Sequence, residues 1–309
     1  MIIDAHMHLG NFLYPNGGAI IEKHIKMPNP FNIQRFEEDI LKFKSFGMTK
    51  KYFDTHDDDY TVSVQNRIFA ATAENLAKHI QALKKMSFMR FGDEKVFCMC
   101  MPIEPYVSLK DISDADLKEY IKPFTSIYPT NNINYACEKL ESEMESCFGL
   151  KLHPIIQGIR FDSDLTYAAL SILAKFNKPV LFHAGASRYY IGNEKYKQHC
   201  EYDNISSAQK MVSSFPSIPF IIGHAGIAEY KEWADAFKSF ENVFVDITVQ
   251  SIPAIRNIVN LYGEDRIMYA SDWPCVRTEP TIRIISKALN NSQLDKCLYK
   301  NANTIFNLV

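Results

Sequence analysis

The chain has 309 residues, of which 47% are hydrophobic, and a formal net charge of −2. This length and apolar content suffice for one large α/β domain or for two smaller ones. The near-neutral charge, with no basic patch and no long block of like charges, argues against nucleic acid or an anionic membrane as a partner. The sequence also lacks a run of about 18 consecutive apolar residues, which a membrane-spanning helix would need.

The start of the chain and its cysteines both favour the cytoplasm. The first predicted strand begins at residue 2, and no basic segment followed by an apolar stretch and a cleavage site precedes it. The seven cysteines are scattered without a C-x-x-C spacing, as is typical of small core residues in a reducing compartment. We therefore predict a cytoplasmic protein.

The first hundred or so residues mix short apolar strands with helices and one long loop rich in Gly, Asn and Pro. The predicted elements are, in order, strand Ile2–His8, a loop over residues 10–30, helix Asn32–Phe46, strand Lys51–Thr55, helix Ser63–Phe91 and strand Val96–Pro102.

From Gly149 onwards, short apolar strands alternate regularly with amphipathic helices. The strands are GLKLHP (149–154), PVLFHAG (179–185), PFIIGHAG (219–226), NVFVDIT (242–248) and RIMYASDWP (266–274). The helices are Leu165–Phe176, Ser206–Phe215, Glu229–Phe240, Ala254–Tyr262, Thr281–Leu289 and Gln293–Phe306. Such alternation indicates βαβ units and a parallel sheet. With the three earlier strands the count is eight, which predicts a closed (β/α)8 TIM barrel of about 250 residues.

No internal repeat, low-complexity tract or linker divides the chain, so we predict a single domain over residues 1–309. A barrel of that size accounts for all but about 60 residues of the chain. We interpret residues 103–148 as an insertion over the barrel mouth, with two helices, Asp114–Lys122 and Asn134–Cys147.

The first strand carries two histidines at a spacing that suits a metal ion. Successive strand side chains alternate between faces, so His6 and His8 point the same way, about 6.6 Å apart along the strand. Imidazole suits zinc and its first-row neighbours, and Asp4, which we expect on the same face one step deeper, could orient a ligand ring. From this segment alone, a buried histidine pair without an ion is an equal alternative.

Four later strands run apolar until their last residues and then present a polar group. These groups are His153, His183, His224 and Asp272. In a parallel barrel all strand carboxyl ends lie on one face, where active sites are built, so the four would gather beside His6 and His8. A single histidine after an apolar run is more often a packed interior residue, but coincidence at five strand ends predicts a metal centre.

The motifs HMH (6–8), HAG (183–185), GHAG (223–226) and SDWP (271–274), in this order, resemble those of the amidohydrolase superfamily, in the branch called amidohydrolase 2. That branch includes aminocarboxymuconate-semialdehyde decarboxylase, resorcylate decarboxylase and lactone hydrolases. The resemblance runs from IDAHMH to the closing NANTIF, with little signal in residues 10–148. It implies a metal-dependent TIM-barrel enzyme that acts on a small molecule, but it does not identify the substrate.

The resemblance also implies a role for each motif residue. His6, His8, His183 and Asp272 match the metal ligands, and His224 matches the histidine that faces the water or substrate beside a single ion. Three imidazoles and one carboxylate leave a position for water, whose pKa falls toward about 7 on such an ion. Asp272 would take the proton, and His224 would polarise the carbonyl or shuttle a proton.

The number of metal ions and the substrate contacts stay open. In binuclear relatives a fourth-strand lysine is carboxylated and bridges two ions; Lys151 lies there, but it could instead pair with Asp4 or another buried carboxylate. We predict one divalent metal, Zn²⁺ first, with two ions as the alternative. His153 and Arg188 are candidate substrate-binding residues, with packing and solvation as equal alternatives.

We therefore predict a metal-dependent hydrolase that acts on an amide, ester or lactone carbonyl of a small molecule. A non-oxidative decarboxylase (lyase) using the same metal site is the alternative. A barrel that keeps a metal without turnover is a third, disfavoured because an open coordination position has no structural purpose. The sequence leaves open the substrate and whether the protein is a homo-oligomer.

Overall fold

The computed structural model describes residues 1–9, 73–113, 117–185, 197–276 and 278–309. Several predicted features lie outside these ranges: the loop over residues 10–30, helix Asn32–Phe46, strand Lys51–Thr55 and Arg188.

Short, almost wholly apolar strands form the framework, as expected for parallel strands that are buried on both faces. The described strands are β1 Ile2–Met7, β2 Val96–Cys100, β3 Ile121–Pro123, β4 Thr125–Ser126, β5 Leu150–Leu152, β6 Val180–Phe182, β7 Phe220–Ile222, β8 Val243–Asp246 and β9 Ile267–Met268. Each pairs in parallel with its neighbours, in the orders β1-β2-β3 and β4-β5-β6-β7-β8-β9.

Backbone hydrogen bonds join the two sheets at both ends. Only Phe124 separates β3 from β4, and its N–H donates to Cys100 O at 2.8 Å, so the chain passes there from one sheet to the other. At the other end, Ala5 N donates to Tyr269 O at 3.0 Å, and Met7 forms a parallel bridge with Trp273. With β3 and β4 taken as one bent strand, the described part of the chain supplies eight strands around the axis, and the predicted (β/α)8 TIM barrel is confirmed.

The third strand of the barrel was not predicted. We expected helix Asp114–Lys122 within an insertion, but residues 117–120 form a turn and residues 121–126 form β3 and β4. The predicted second strand, Lys51–Thr55, lies outside the described residues, and β1 pairs directly with β2. The helix prediction was wrong because β3 and β4 are three and two residues long, too short to show an alternation of apolar and polar residues.

The helices surround the strands. They are Ala73–Phe91, Leu109–Ser113, Ile133–Glu143, Pro154–Gln157, Asp164–Phe176, Ile205–Ser214, Tyr230–Phe237, Ile252–Tyr262, Thr278–Ala288, Asn291–Asp295 and Asn301–Phe306. Several of them begin after a side-chain cap; for example, Ser163, Asn204 and Ser251 each accept a hydrogen bond from a backbone N–H in the first turn. None of the helices that the structure describes is long and apolar enough to cross a membrane.

Two apolar clusters pack on the two faces of the strands. The smaller one contains Ile3 and Ala5 of β1 together with Leu181 of β6 and Ile221 of β7, and β1 meets β6 and β7 only across the interior of the barrel. The larger cluster joins outward side chains such as Phe182 to the helices, for example to Trp233. Polar side chains beyond the carboxyl ends of the strands are thereby left at one end of the barrel.

Candidate metal centre

Buried polar side chains gather at the carboxyl ends of six strands. They are His6 in β1 and His8 just after it, Lys151 from β5, His183 after β6, His224 after β7, Asp246 at the end of β8 and Asp272 after β9. None of these residues is more than 8% exposed.

His6 and His8 face each other across a short gap, with their Nε2 atoms 3.0 Å apart. The Nδ1 atom of His8 lies 3.0 Å from Met101 O, which can only accept, so the proton of this ring is on Nδ1. The Nδ1 atom of His6 donates in the same way to Asp246 Oδ2 at 3.0 Å. Both Nε2 atoms therefore present a lone pair to the same point, as in histidines that bind one metal ion.

Asp272 completes a set of three donors around that point. Its Oδ1 atom lies 3.7 Å from His6 Nε2 and 3.5 Å from His8 Nε2. Ligands held about 2.1 Å from one tetrahedral ion are about 3.4 Å from one another. The three separations therefore fit a single divalent ion, and imidazole and carboxylate are donors that such ions accept.

The backbone at Asp272 is held in a left-handed conformation, with φ of +50°. A non-glycine residue pays about 1–3 kcal/mol for this and keeps it only when its surroundings enforce it. Here Asp272 N donates to His6 O at 2.7 Å, and Cys275 N donates to Asp272 O at 2.7 Å. The bond to His6 ties the carboxylate ligand directly to the strand that carries the two histidines.

Asp246 is a site residue that the sequence analysis missed. Besides accepting from His6, this carboxylate accepts from Thr248 N at 3.0 Å and from Thr248 Oγ1 at 2.8 Å, both on Oδ1. The signal was present in NVFVDIT, an apolar strand that ends in a polar residue like the strands that carry the predicted ligands. Asp246 orients the ring of His6, the role that we had expected of Asp4.

Asp4 faces away from the metal centre, so that expectation was wrong. Asp4 and Met7 pair with Cys98 and Cys100, which places one extra residue of β1 in between. This bulge reverses the alternation of side chains along β1. His6 points into the barrel, whereas Asp4 Oδ2 lies 3.3 Å from His79 Nε2 of helix Ala73–Phe91.

His224 lies in a stretch of unusual backbone beside the centre. Residues 224–227 all have positive φ, and Gln250 Nε2 holds the turn by donating to His224 O at 2.7 Å and to Ile227 O at 2.8 Å. The ring centroid of His224 is 5.1 Å from that of His6, and its Nδ1 atom is 3.9 Å from Asp246 Oδ1. The predicted catalytic histidine therefore adjoins the metal donors.

A glycine contact joins the two loops that carry His183 and His224. A Cβ atom on Gly185, whose φ is +103°, would lie 2.6 Å from the carbonyl carbon and oxygen of Gly226. The absence of a side chain at Gly185 therefore allows the loop after β6 and the loop after β7 to touch.

His183 lies on the same rim but contacts histidines rather than Asp272. Its ring stacks on His153, with centroids 4.1 Å apart, and meets the ring of His224 edge-on at 5.3 Å. Among the described residues, neither ring nitrogen of His183 belongs to a set of three possible metal-ligand atoms that all lie within 4.8 Å of one another. Its role as the fourth metal ligand therefore stays a prediction.

His153 has a capping role in this structure. Its Nδ1 atom accepts a hydrogen bond from Ile156 N at 3.3 Å, at the start of helix Pro154–Gln157. Its predicted role as a substrate contact stays a prediction. Arg188, the other candidate substrate contact, lies outside the described residues.

Lys151 reaches the metal donors and does not pair with Asp4. Its Nζ atom lies 2.9 Å from His6 Nε2. Burial lowers the pKa of Lys151, and the charges of Asp272 and Asp246 oppose that shift. Burial likewise raises the pKa of Asp272, against the effect of Lys151.

The histidines of the centre are held in their neutral form. Burial is the main cause that lowers the pKa values of His6, His8 and His183 well below the usual value, and neighbouring positive groups add to it. Burial also lowers the pKa of His224 to about 4, although Asp246 acts in the opposite direction. Neutral imidazole is the form that binds a metal ion.

Solved structures of similar fold span almost the whole chain. An uncharacterised TIM-barrel protein from Bordetella bronchiseptica is 13% identical, with a TM-score of 0.67 over 98% of this chain and 97% of its own. A 5-carboxyvanillate decarboxylase from Novosphingobium aromaticivorans, complexed with manganese, is 14% identical, with a TM-score of 0.60 over 100% of this chain and 96% of its own. A probable 2-pyrone-4,6-dicarboxylic acid hydrolase from Acinetobacter baumannii is 12% identical, with a TM-score of 0.58 over 99% of both chains. At such low identity these likenesses show the fold alone.

Sequence comparison identifies the family. No curated protein matches the chain significantly. The family model described as Amidohydrolase, which represents the amidohydrolase 2 branch, matches residues 135–308. This match covers more than half of the chain and includes the HAG, GHAG and SDWP motifs. The resemblance noted in the sequence is thus confirmed, and the chain belongs to the amidohydrolase family.

Proposed function

We propose that the protein is a metal-dependent hydrolase that acts on an amide, ester or lactone carbonyl of a small molecule. The observation that carries this proposal is the convergence of His6 Nε2, His8 Nε2 and Asp272 Oδ1 within 3.0–3.7 Å of one another, beside the ring of His224. Two neutral imidazoles and one carboxylate at these distances can together bind one divalent cation.

His6, His8 and Asp272 would hold the ion, with His183 as the proposed fourth ligand. When bound, such an ion lowers the pKa of a water molecule toward neutrality and polarises a carbonyl oxygen. The donors are nitrogen and oxygen atoms only, a set that suits zinc and also manganese, the ion found in the Novosphingobium decarboxylase. Zn²⁺ remains our first proposal, and the test below compares the two ions.

The chain's own groups supply the proton transfers. One carboxylate oxygen of Asp272 lies beside the nitrogen of His6 that faces the centre, and burial raises the pKa of this carboxyl group. Asp272 is therefore suited to accept a proton from water and to release it again. His224 is neutral because burial lowers its pKa, and it could polarise the substrate carbonyl or pass a proton to the leaving group. Asp246 keeps His6 in the tautomer that directs Nε2 to the centre.

Decarboxylation of a small carboxylic acid is the second candidate. A neutral, buried histidine whose ring adjoins the metal donors could also protonate the carbon that remains after CO2 leaves. The manganese-containing neighbour, described as a 5-carboxyvanillate decarboxylase, supports this alternative through its fold. A cytoplasmic location and a homo-oligomeric state stay predictions from the sequence.

The two reactions can be separated in isotopically labelled water. Metal-free protein, reloaded in parallel with Zn²⁺ or Mn²⁺, is assayed in oxygen-labelled water against lactones, esters, amides and aromatic acids. Hydrolysis transfers the label from water to the product, whereas decarboxylation releases CO2 without label in the remaining product. The exposed Asp235→Asn variant serves as a control that should match the wild type. Metal-loaded protein that turns over neither class would contradict both candidates.

A further inference from the structure

A buried pair of side chains behind the metal centre connects it to the outer helices. Asp4 and His79 are both buried, and His79 Nε2 lies 3.3 Å from Asp4 Oδ2. Neither residue was assigned a role at the centre by the family resemblance. Their contacts reach the two segments that supply the metal donors.

Asp4 ties these two segments together through a single carboxylate oxygen. Its Oδ1 atom accepts from Ser271 N at 2.8 Å and from His6 N at 3.3 Å. Ser271 directly precedes Asp272, and His6 is itself a donor of the centre. The separation of the donors of His6 and Asp272 therefore depends on where the Asp4 carboxylate is held.

His79 contacts Asp4 from the helix side. Its Nδ1 atom lies 2.6 Å from Thr278 Oγ1, which begins helix Thr278–Ala288. Its ring also stacks on Trp273, the residue after Asp272, at a centroid distance of 5.4 Å and an interplanar angle of 20°. His79 thus contacts the neighbours of Asp272 on both sides, Ser271 through Asp4 and Trp273 through its ring.

The strained backbone at Asp272 makes this support necessary. A residue with φ of +50° tends to relax unless its neighbours are fixed. A shift of the Asp272 carboxylate by about 1 Å would move its oxygen out of reach of an ion held by His6 and His8.

We propose that His79 is a positioning residue of the metal centre, which acts through Asp4 to hold Asp272 at the distance from His6 and His8 that one divalent ion requires. This inference rests on the proposed metal-dependent function. It concerns the affinity and geometry of the centre, not a chemical step.

The test compares two variants of His79 with a control on the same helix. His79→Phe keeps an aromatic ring against Trp273 but loses the contacts with Asp4 and Thr278. His79→Gln places an amide donor where Nε2 lies and can restore the contact with Asp4. Ser87→Ala removes a buried hydroxyl that bonds Asp93 and the Lys95 carbonyl, far along the same helix from His79, and so reproduces a loss of hydrogen bonds without touching the centre.

Metal affinity is measured by competition with a chelator, and the absorption spectrum of the Co²⁺-loaded protein reports the ligand geometry; thermal unfolding is recorded for each metal-free variant. Residues that orient metal ligands typically contribute about 10- to 100-fold to affinity. We expect a loss of that size and an altered Co²⁺ spectrum for His79→Phe, with an affinity near that of the wild type for His79→Gln and for Ser87→Ala.

The possible failures are distinguishable. If His79→Phe binds metal as tightly as the wild type with an unchanged spectrum, the positioning role is refuted and the proposed function stands. If Ser87→Ala weakens metal binding as much as His79→Phe, the effect is a general loss of stability and the inference is likewise refuted. If the wild type binds no divalent metal, the proposed function fails and the inference fails with it. Should His79→Phe not fold, His79→Gln decides, because a loss of affinity as large as 10-fold in that variant contradicts a role that the amide donor restores.

Discussion

Replacing Asp246 by asparagine should disable His6 as a metal ligand by changing its tautomer. Thr248 donates two hydrogen bonds to Oδ1 of Asp246, from its backbone N and its Oγ1. The single amide oxygen of asparagine is therefore expected to stay on Thr248, which turns the NH2 group toward His6 Nδ1. That nitrogen must then accept, so the ring proton moves to Nε2 and covers the lone pair that faces His8.

The expected loss can be estimated from the part of the centre that Asp246 controls. Mutation of groups that orient a metal-ligating histidine usually costs about 10- to 100-fold in affinity, or about 1.4–2.8 kcal/mol. Since the substitution also removes a negative charge 3.0 Å from a ligand ring, we expect Asp246→Asn to lie at the upper end of that range.

Isothermal titration of metal-free protein with Zn²⁺ and with Mn²⁺ measures this loss directly. Asp235→Asn, the same chemical change at an exposed residue that pairs with Lys238, is the matched control and should leave the affinity unchanged. An Asp246→Asn protein that is folded and binds metal as tightly as the control would refute the proposed orientation of His6.

Four further predictions follow from the geometry. His224→Asn should keep its metal and lower kcat by about 100- to 10,000-fold; a protein emptied of metal would instead assign His224 as a ligand. Lys151→Met should retain one metal equivalent in elemental analysis, whereas the loss of one of two equivalents would favour the binuclear arrangement. Metal-free protein should lose stability as the pH falls. The unfolded chain binds protons on its histidines below about pH 6.5, but the folded chain keeps them neutral, so each contributes a loss of up to about 1.4 kcal/mol per pH unit. The raised pKa of Asp272 acts in the opposite direction and offsets the contribution of one histidine. For His224 this loss in the free energy of unfolding continues until the pH reaches about 4, its pKa in the folded chain. Urea unfolding that gives the same free energy of unfolding at about pH 7.5 and about pH 5.5 would contradict the predicted pH dependence. Gly185→Ala should cost at least about 3 kcal/mol, because its Cβ meets Gly226. Gly263→Ala, with φ of +86° but nothing within 4 Å, should cost only about 1–2 kcal/mol in the same unfolding assay.

The parts of the site that the sequence predicted are those that follow from strand ends. His6, His8 and Asp272 were predicted to lie together because an apolar run that ends in a polar side chain marks the carboxyl end of a barrel strand. Asp246 follows the same rule and could have been found, since NVFVDIT has the same form. These residues come together because parallel closure of the barrel places all such ends on one rim.

The features that the sequence did not predict depend on tertiary structure. The bulge in β1 exchanges the faces of Asp4 and His6, and a bulge has no signature in the residues IIDAHM themselves. The third barrel strand is split between two sheets at Phe124, so neither part is long enough to show a periodicity. His79 was given no role because its partners, Asp4, Trp273 and Thr278, are distant in sequence.

The most direct test of the central claim is an anomalous difference map from crystals of the metal-loaded protein. We expect one strong peak per chain, within about 2.0–2.3 Å of His6 Nε2, His8 Nε2 and a carboxylate oxygen of Asp272. A map without density between these three atoms, or with the ion bound at other side chains, would contradict the claim that they form the metal centre.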